Sequence, residues 1–344
     1  MKIKQDIRDL SFEELAAELK DLGEPAYRAG QVFDWLYKRG AASFDAFTDL
    51  PKSLRFKLEE GFLLKSLVVA ERLVASDKIE KFLFRLADGN FIESVLIPAG
   101  KRNTLCLSTQ VGCKFGCAFC ASGMGGFKRN LRPSEILGQV LILQDKLSLN
   151  LTNFVFMGMG EPLDNCDSVV KAIKIMNDPR GMEIAARRIT VSTVGIVLGI
   201  ERLKKLGLQV NLSLSLHAVR EELRSKLLPV SRKYPLPEIL RACEEYIKET
   251  GRMMTLEYIL LGGLNDTAED AAHLASIARR LRAKVNLIPC SPVPGLDFFS
   301  PPAEANRLFL KTLKEKGVNA TLRQSKGADI QAACGQLAGK LRKT

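Results

Sequence analysis

The chain has 344 residues, 46% of them hydrophobic, and its 51 Lys and Arg against 39 Asp and Glu leave a formal charge of +12. A chain of that length buries an ample core without disulfide staples. Its N-terminus, MKIKQDIRDLSFEELAAELK, is charged and has no apolar h-region, and no uncharged apolar run approaches a bilayer-spanning length, so we expect a cytoplasmic protein with no membrane partner.

The first predicted elements are helices. Ser11 and Glu14 form a capping box ahead of an amphipathic run, Pro25 opens a second helix that Gly40 closes, and LPKSLRFKLEEGF suggests a third. Residues 1–65 thus read as a small helical accessory domain. In the next stretch, 66–100, KIEKFLFRL and NFIESVLIP are β-rich and joined by Asp88-Gly89, a strong hairpin signal, with Glu93 on the returning strand. From residue 104 onward TLCLST, NFVFMG, RITVST, VNLSLSLH, TLEYILL and KVNLIPC alternate with helical segments such as PSEILGQVLILQDKL and PLPEILRACEEYIKET. Alternating strands and helices imply parallel βα units. Six strands are too few for a closed eight-fold barrel, so the expected fold is α/β, an open, partial (β/α)6 TIM-like barrel over residues 101–330, followed by a C-terminal segment, 331–344. Reactive groups in such barrels gather on the loops after the strand C-termini, where a cysteine run, GMGEP and STVG all fall.

The charge is uneven. Residues 1–100 hold 15 basic against 17 acidic side chains, whereas the other 244 hold 36 against 22. A polyanionic partner such as RNA suits this excess, and so does a merely soluble basic enzyme. Aromatic content is only 7%, so no extensive base-stacking platform is evident.

The run CKFGCAFC places Cys113, Cys117 and Cys120 within eight residues of a chain that has eight cysteines. In a reducing compartment such clustering marks metal or redox chemistry more often than disulfides. Zinc is a poor reading, because no second CxxC or CxxH pair exists and the chain has two histidines. Three thiolates suit a [4Fe-4S] cluster with one iron left for substrate or cofactor atoms. A chance cluster of buried thiols or a redox-sensing patch stays open on the spacing alone.

The CxxxCxxC spacing, with Phe119 before the last cysteine, resembles the signature of the radical S-adenosylmethionine (SAM) enzymes, in which the methionine end of SAM fills the vacancy on the cluster. GMGEP, residues 158–162, is similar to their GGEP element, which implies that Gly160 and Glu161 meet the SAM amine. The same resemblance assigns Ser192, Ser215, Leu216 and His217 to SAM contacts. Taken from residues alone, GMGEP also fits an ordinary turn, and a lone His such as His217 fits a satisfied structural residue.

LCLSTQVGCKFGCAFCASGMGGFKRNL, MGMGEPLDN, SLSLHA and GADIQAACGQLAG together resemble the dual-specificity RNA methyltransferases that methylate carbon 2 of adenosine in 23S rRNA and, next to the anticodon, in tRNA. That resemblance implies RNA binding by the helical domain, a monomer, a flavodoxin- or ferredoxin-type electron donor, and two SAM consumed per turnover. It implies that Cys334 accepts a methyl from one SAM and that a second SAM, cleaved at the cluster, activates that methyl for addition to the electron-poor adenine carbon. Glu93 is then the proton acceptor, and Cys106 attacks Cys334 to release the product and leave a disulfide. Cys106 also fits a buried hydrophobe and Glu93 a solvated strand residue, while Cys334, beside Gly335, suits an exposed mobile segment. Cys166, Cys243 and Cys290 are assigned to packing. Where the family has a second asparagine as a SAM contact this chain has Ser291, whose role Asn286 could share. Two alternatives remain: a methyltransferase acting at carbon 8 of the ribosomal adenosine, the resistance-conferring relative, and a binding protein that uses a cluster structurally on RNA.

Overall fold

A computed structural model describes residues 4–65, 67–147, 151–324 and 326–339. Residues 340–344 of the expected C-terminal segment lie outside the described residues.

Helices α1 (Phe12–Asp21), α2 (Tyr27–Tyr37) and α3 (Lys52–Gly61) form the N-terminal region. The capping box of α1 is present in both directions, with Ser11 Oγ accepting from the Glu14 N–H and Glu14 accepting from the Ser11 N–H at 2.7 Å. Glu14 also reaches forward to the core, pairing with Lys171 Nζ at 2.7 Å, and Asp9 accepts from the Ser134 N–H at 2.9 Å.

Strands β1 (Val68–Val74), β2 (Glu80–Arg85), β3 (Phe91–Ala99) and β4 (Arg102–Cys106) form an antiparallel meander in which β2 and β3 are joined across Asp88-Gly89, as expected. The strand β1 is an addition to the expected hairpin. Glu71 and Arg72 split its apolar residues into short pieces, and its side chains alternate between exposed and half-buried, so no continuous run marks it as a strand. After β4 come a small ribbon, β5 (Gln110–Val111) and β6 (Arg129–Asn130), with the short α4 (Ala121–Met124) between them.

The parallel part follows. It runs α5 (Pro133–Leu147), β7 (Asn153–Phe156), α6 (Cys166–Asn177), β8 (Ile189–Thr193), α7 (Val197–Lys204), β9 (Asn211–Ser215), α8 (Glu221–Leu227), α9 (Leu236–Thr250), β10 (Thr255–Leu260), α10 (Ala268–Arg280), β11 (Lys284–Pro289), α11 (Ala303–Glu315) and β12 (Ala320–Leu322). The sheet order is β1-β2-β3-β4-β7-β8-β9-β10-β11-β12, and every neighbouring pair from β4 to β12 is parallel. This is the open α/β barrel that the strand and helix alternation implies. The seventh parallel strand, β12, is only three residues long, too short to register as a strand pattern.

Strand interiors such as Leu105, Phe154, Val191, Leu214, Leu256 and Leu287 are buried against helix faces carrying Ile136, Ile173, Ile200 and Leu274. Each fully buried Leu or Ile contributes roughly 1.5–3 kcal/mol. Cys166, Cys243 and Cys290 are buried in this core, as packing requires. Among the described residues no helix is long and apolar enough to cross a membrane.

Candidate active site

Sequential βα units send each strand's C-terminal end toward one rim, where a cavity of about 170 Å³ opens. Cys106 ends β4, Gly160 and Glu161 follow β7, Ser192 lies in β8, Ser215 ends β9 and His217 follows it, and all of them line this cavity with Cys117, Cys120 and Cys334. Cys113 stands behind that lining, close enough for its charge to couple to Cys120 and Glu161.

Burial pushes the thiol of Cys113 up to about 12 and that of Cys117 well above the usual range, and Cys120 is raised for the same reason. All eight cysteines are free thiols. Such neighbours ionise together only beside a strong local cation, which a thiolate-ligated iron cluster provides. Among the described residues no three His, Cys, Asp or Glu side chains close on a single ion. A cubane distributes its thiolates over separate irons, so the cysteine loop fits a cluster better than a mononuclear centre.

Glu161 is held rigidly. Its Oε1 accepts from the Leu163 N–H at 3.1 Å, its Oε2 from the Val194 N–H at 3.0 Å, and its own N–H donates to Gln110 Oε1 at 2.9 Å. Burial pushes its carboxyl up to about 7, partly offset by these hydrogen bonds. At Gly160 φ is +93° and an added Cβ would lie 2.4 Å from the Gln110 Cβ, so the loop can approach Gln110 only without a side chain.

His217 is both structural and a lining residue. Its Nδ1 accepts from the Ile259 N–H at 3.1 Å, its carbonyl accepts from Asn265 Nδ2 at 2.7 Å, and Phe119 packs edge-on to its ring at 5.1 Å. Burial, assisted by the Arg224 charge, pushes its pKa down to about 3. The ring is therefore neutral, with its proton on Nε2. Ser192 and Ser215 stand side by side, Oγ to Oγ at 3.3 Å.

Family models and relatives show which family the chain belongs to. Residues 107–275 match the radical SAM superfamily and residues 5–64 match the ribosomal RNA large subunit methyltransferase N-terminal domain. A protein of Bacillus cytotoxicus described as a probable dual-specificity RNA methyltransferase RlmN is 46% identical over 343 residues, spanning 99% of this chain and 95% of that one. One of Bacillus cereus with the same description is 45% identical over the same shares. The crystal structure of a radical SAM methyltransferase from Sphaerobacter thermophilus superposes with a TM-score of 0.92 at 43% identity, covering 98% of this chain and all of that one. The chain belongs to the dual-specificity RNA methyltransferases of the radical SAM superfamily. Its cofactors are accordingly a [4Fe-4S] cluster and SAM.

In this methyltransferase the remaining expected residues fall elsewhere. Leu216 is fully buried, its N–H donating to the Glu257 carbonyl at 3.0 Å and its carbonyl accepting from Arg224 Nε at 3.1 Å, so it does not reach the cavity. Ser291 lines a neighbouring cavity of about 20 Å³, which it shares with Cys334. Asn286, the residue that could share its role, donates to Glu257 Oε2 at 2.7 Å and is not part of the main lining. Glu93 lies on the same face of β3 as Val95 and Ile97, which line the main cavity, but its carboxylate opens into a separate one of about 240 Å³. There Oε1 pairs with Lys81 at 3.0 Å, and Oε2 accepts from the Ala338 and Gly339 N–H groups at 2.7 and 2.9 Å. Glu93 is thus a buried, fully partnered residue and not a solvated one.

Four further residues escaped sequence reasoning. Arg224 is fully buried and donates to Leu216, Val194 and Ser215 carbonyls, clamping the loops after β8 and β9 together. Gln110 aligns the GMGEP loop, Lys81 pairs with Glu93, and Arg323, just after β12, donates to Cys334 Sγ at 3.5 Å. The sequence hints only at Lys81, a buried lysine that shares a strand face with Leu83.

Proposed function

We propose that this enzyme methylates carbon 2 of a specific adenosine in 23S rRNA and of the adenosine next to the anticodon in tRNA, acting in the cytoplasm as a monomer with a flavodoxin- or ferredoxin-type electron donor. The observation that carries this reading is that Cys106 and Cys334, 228 positions apart in the chain, face one cavity together with Cys117, Cys120 and Glu161. A structural cluster needs no such pair of remote thiols. Cys113, Cys117 and Cys120 would hold the cluster, which supplies one-electron cleavage of SAM.

The chain's own residues then divide the work. Glu161, Ser192, Ser215 and His217 position SAM, and Cys334 carries the methyl group at the cavity mouth. Glu93 accepts the proton from the adenine carbon, and Cys106 displaces the product from the sulfur of Cys334. Proton acceptance requires Glu93 to exchange its present partners for the substrate, and β3 already aims it along the cavity wall. Residues 1–65 act as the RNA-binding accessory domain, 66–100 as the β extension, 101–330 as the catalytic core and 331–344 as the methyl-carrying segment.

The test is anaerobic reconstitution with SAM, reductant and unmodified RNA, followed by nucleoside mass spectrometry. We expect 2-methyladenosine; 8-methyladenosine would transfer the reading to the carbon-8 enzymes. With Cys106→Ala, protein tethered to RNA through Cys334 should accumulate as a nuclease-sensitive, high-mass band on a denaturing gel. Normal product from that variant, with no adduct, would make Cys106 a packing residue only.

A further inference from the structure

The assigned roles leave a cation beside both reacting sulfurs without a function. Arg323 is anchored at the exit of β12, where its N–H donates to the Leu287 carbonyl at 2.8 Å. Its side chain crosses to the C-terminal segment, donates from Nη1 to Cys334 Sγ at 3.5 Å, and lines the main cavity with Cys106 and Cys334. It lines the smaller neighbouring cavity with Cys334 as well. The Glu257 carboxylate, which already accepts from Asn286, lines the same cavity within electrostatic reach.

We infer that Arg323 is a catalytic residue of the methyl-loading step, its guanidinium holding the Cys334 sulfur at the cavity and stabilising negative charge on it. Methyl transfer to sulfur is a displacement in which a sulfur lone pair forms the new carbon–sulfur bond while the sulfonium carbon–sulfur bond breaks, its electron pair passing to the departing neutral thioether. The thiol proton must leave to solvent first, so the attacking atom carries a full negative charge. An N–H donor that is itself charged makes a stronger bond to such an atom than a neutral donor does. Methylation removes the charge from the sulfur and weakens that bond.

The role in methyl loading rests on the proposed function, but the charge on sulfur can be read without RNA or SAM. Holoenzyme would be alkylated anaerobically with iodoacetamide at pH 7.5, and the rate at Cys334 followed by peptide mass mapping. Arg323→Gln should slow alkylation of Cys334 by about tenfold, as expected for loss of a charge-assisted hydrogen bond, and Arg323→Lys should recover part of the rate. Circular dichroism would establish that each variant is folded. Wild-type rates in Arg323→Gln, or equal slowing in the Gln and Lys variants, would overturn the inference. Absence of methylated RNA with these alkylation results intact would count against the proposed substrate and not against Arg323.

Discussion

Glu161 offers a quantitative test of the SAM site. Burial pushes its carboxyl up to about 7. A SAM amine that donates to this carboxyl requires the ionised form. At pH 6 only about one molecule in ten is then competent, a penalty of about 1.4 kcal/mol on binding, whereas at pH 8 the penalty nearly vanishes. Wild-type enzyme should therefore gain about tenfold in SAM affinity between pH 6 and 8 beyond whatever Glu161→Gln gains, since the amide cannot titrate. The amide also sets an NH2 group against the N–H donors of Leu163 or Val194, which should weaken binding by a further 1–3 kcal/mol or so. Anaerobic equilibrium dialysis of both proteins with radiolabelled SAM measures this difference. Parallel pH profiles would refute the reasoning. The same raised carboxyl favours the fold below its ordinary value of 4.5, and that contribution is lost as pH rises through about 7. SAM should consequently stabilise the fold more at pH 8 than at pH 6 in a thermal shift assay.

Gly112, just before the first cysteine of the cluster loop, has φ +73°, and an added Cβ would lie 1.8 Å from the Gly126 carbonyl oxygen. Gly112→Ala should therefore displace the loop and cut iron content by more than half, measured by iron assay after reconstitution, with circular dichroism retained; full iron loading would contradict this geometry. Binding of substrate RNA should weaken by about tenfold or more between 50 and 200 mM salt, measured by filter retention, because residues beyond 100 carry the basic excess. A flat response would separate that charge from RNA recognition.

The legible part of this molecule is the part governed by local pattern. The capping box at Ser11 and Glu14, the Asp88-Gly89 hairpin and the alternation of apolar strands with amphipathic helices all act within a few residues, so the chain displays them directly. The cysteine loop and GMGEP were legible because backbone geometry and ligand spacing are themselves local. The strand β1 was lost because Glu71 and Arg72 interrupt it at an exposed edge, and β12 because three residues carry no period. Arg224 and Arg323 belong to no local motif, yet folding buries the first beneath three carbonyls and turns the second onto a sulfur.

The C-terminal segment shows most plainly why the rest could not be read. The Ala121 N–H donates to the Gly335 carbonyl at 2.7 Å and Ser122 Oγ to the Leu337 carbonyl at 2.8 Å, so the loop of the cluster cysteines grips the chain on either side of Gln336. Two residues further on, the N–H groups of Ala338 and Gly339 cap Glu93. The segment that carries Cys334, the cysteine loop and Glu93 are thus tied largely through backbone groups, which every residue type possesses and no motif records. On the proposed reading, Glu93 can turn toward an adenine only by giving up two hydrogen bonds that hold the segment four and five residues beyond Cys334. Freeing the base and loosening the methyl carrier are then one event, which places both groups at the substrate in the same conformation.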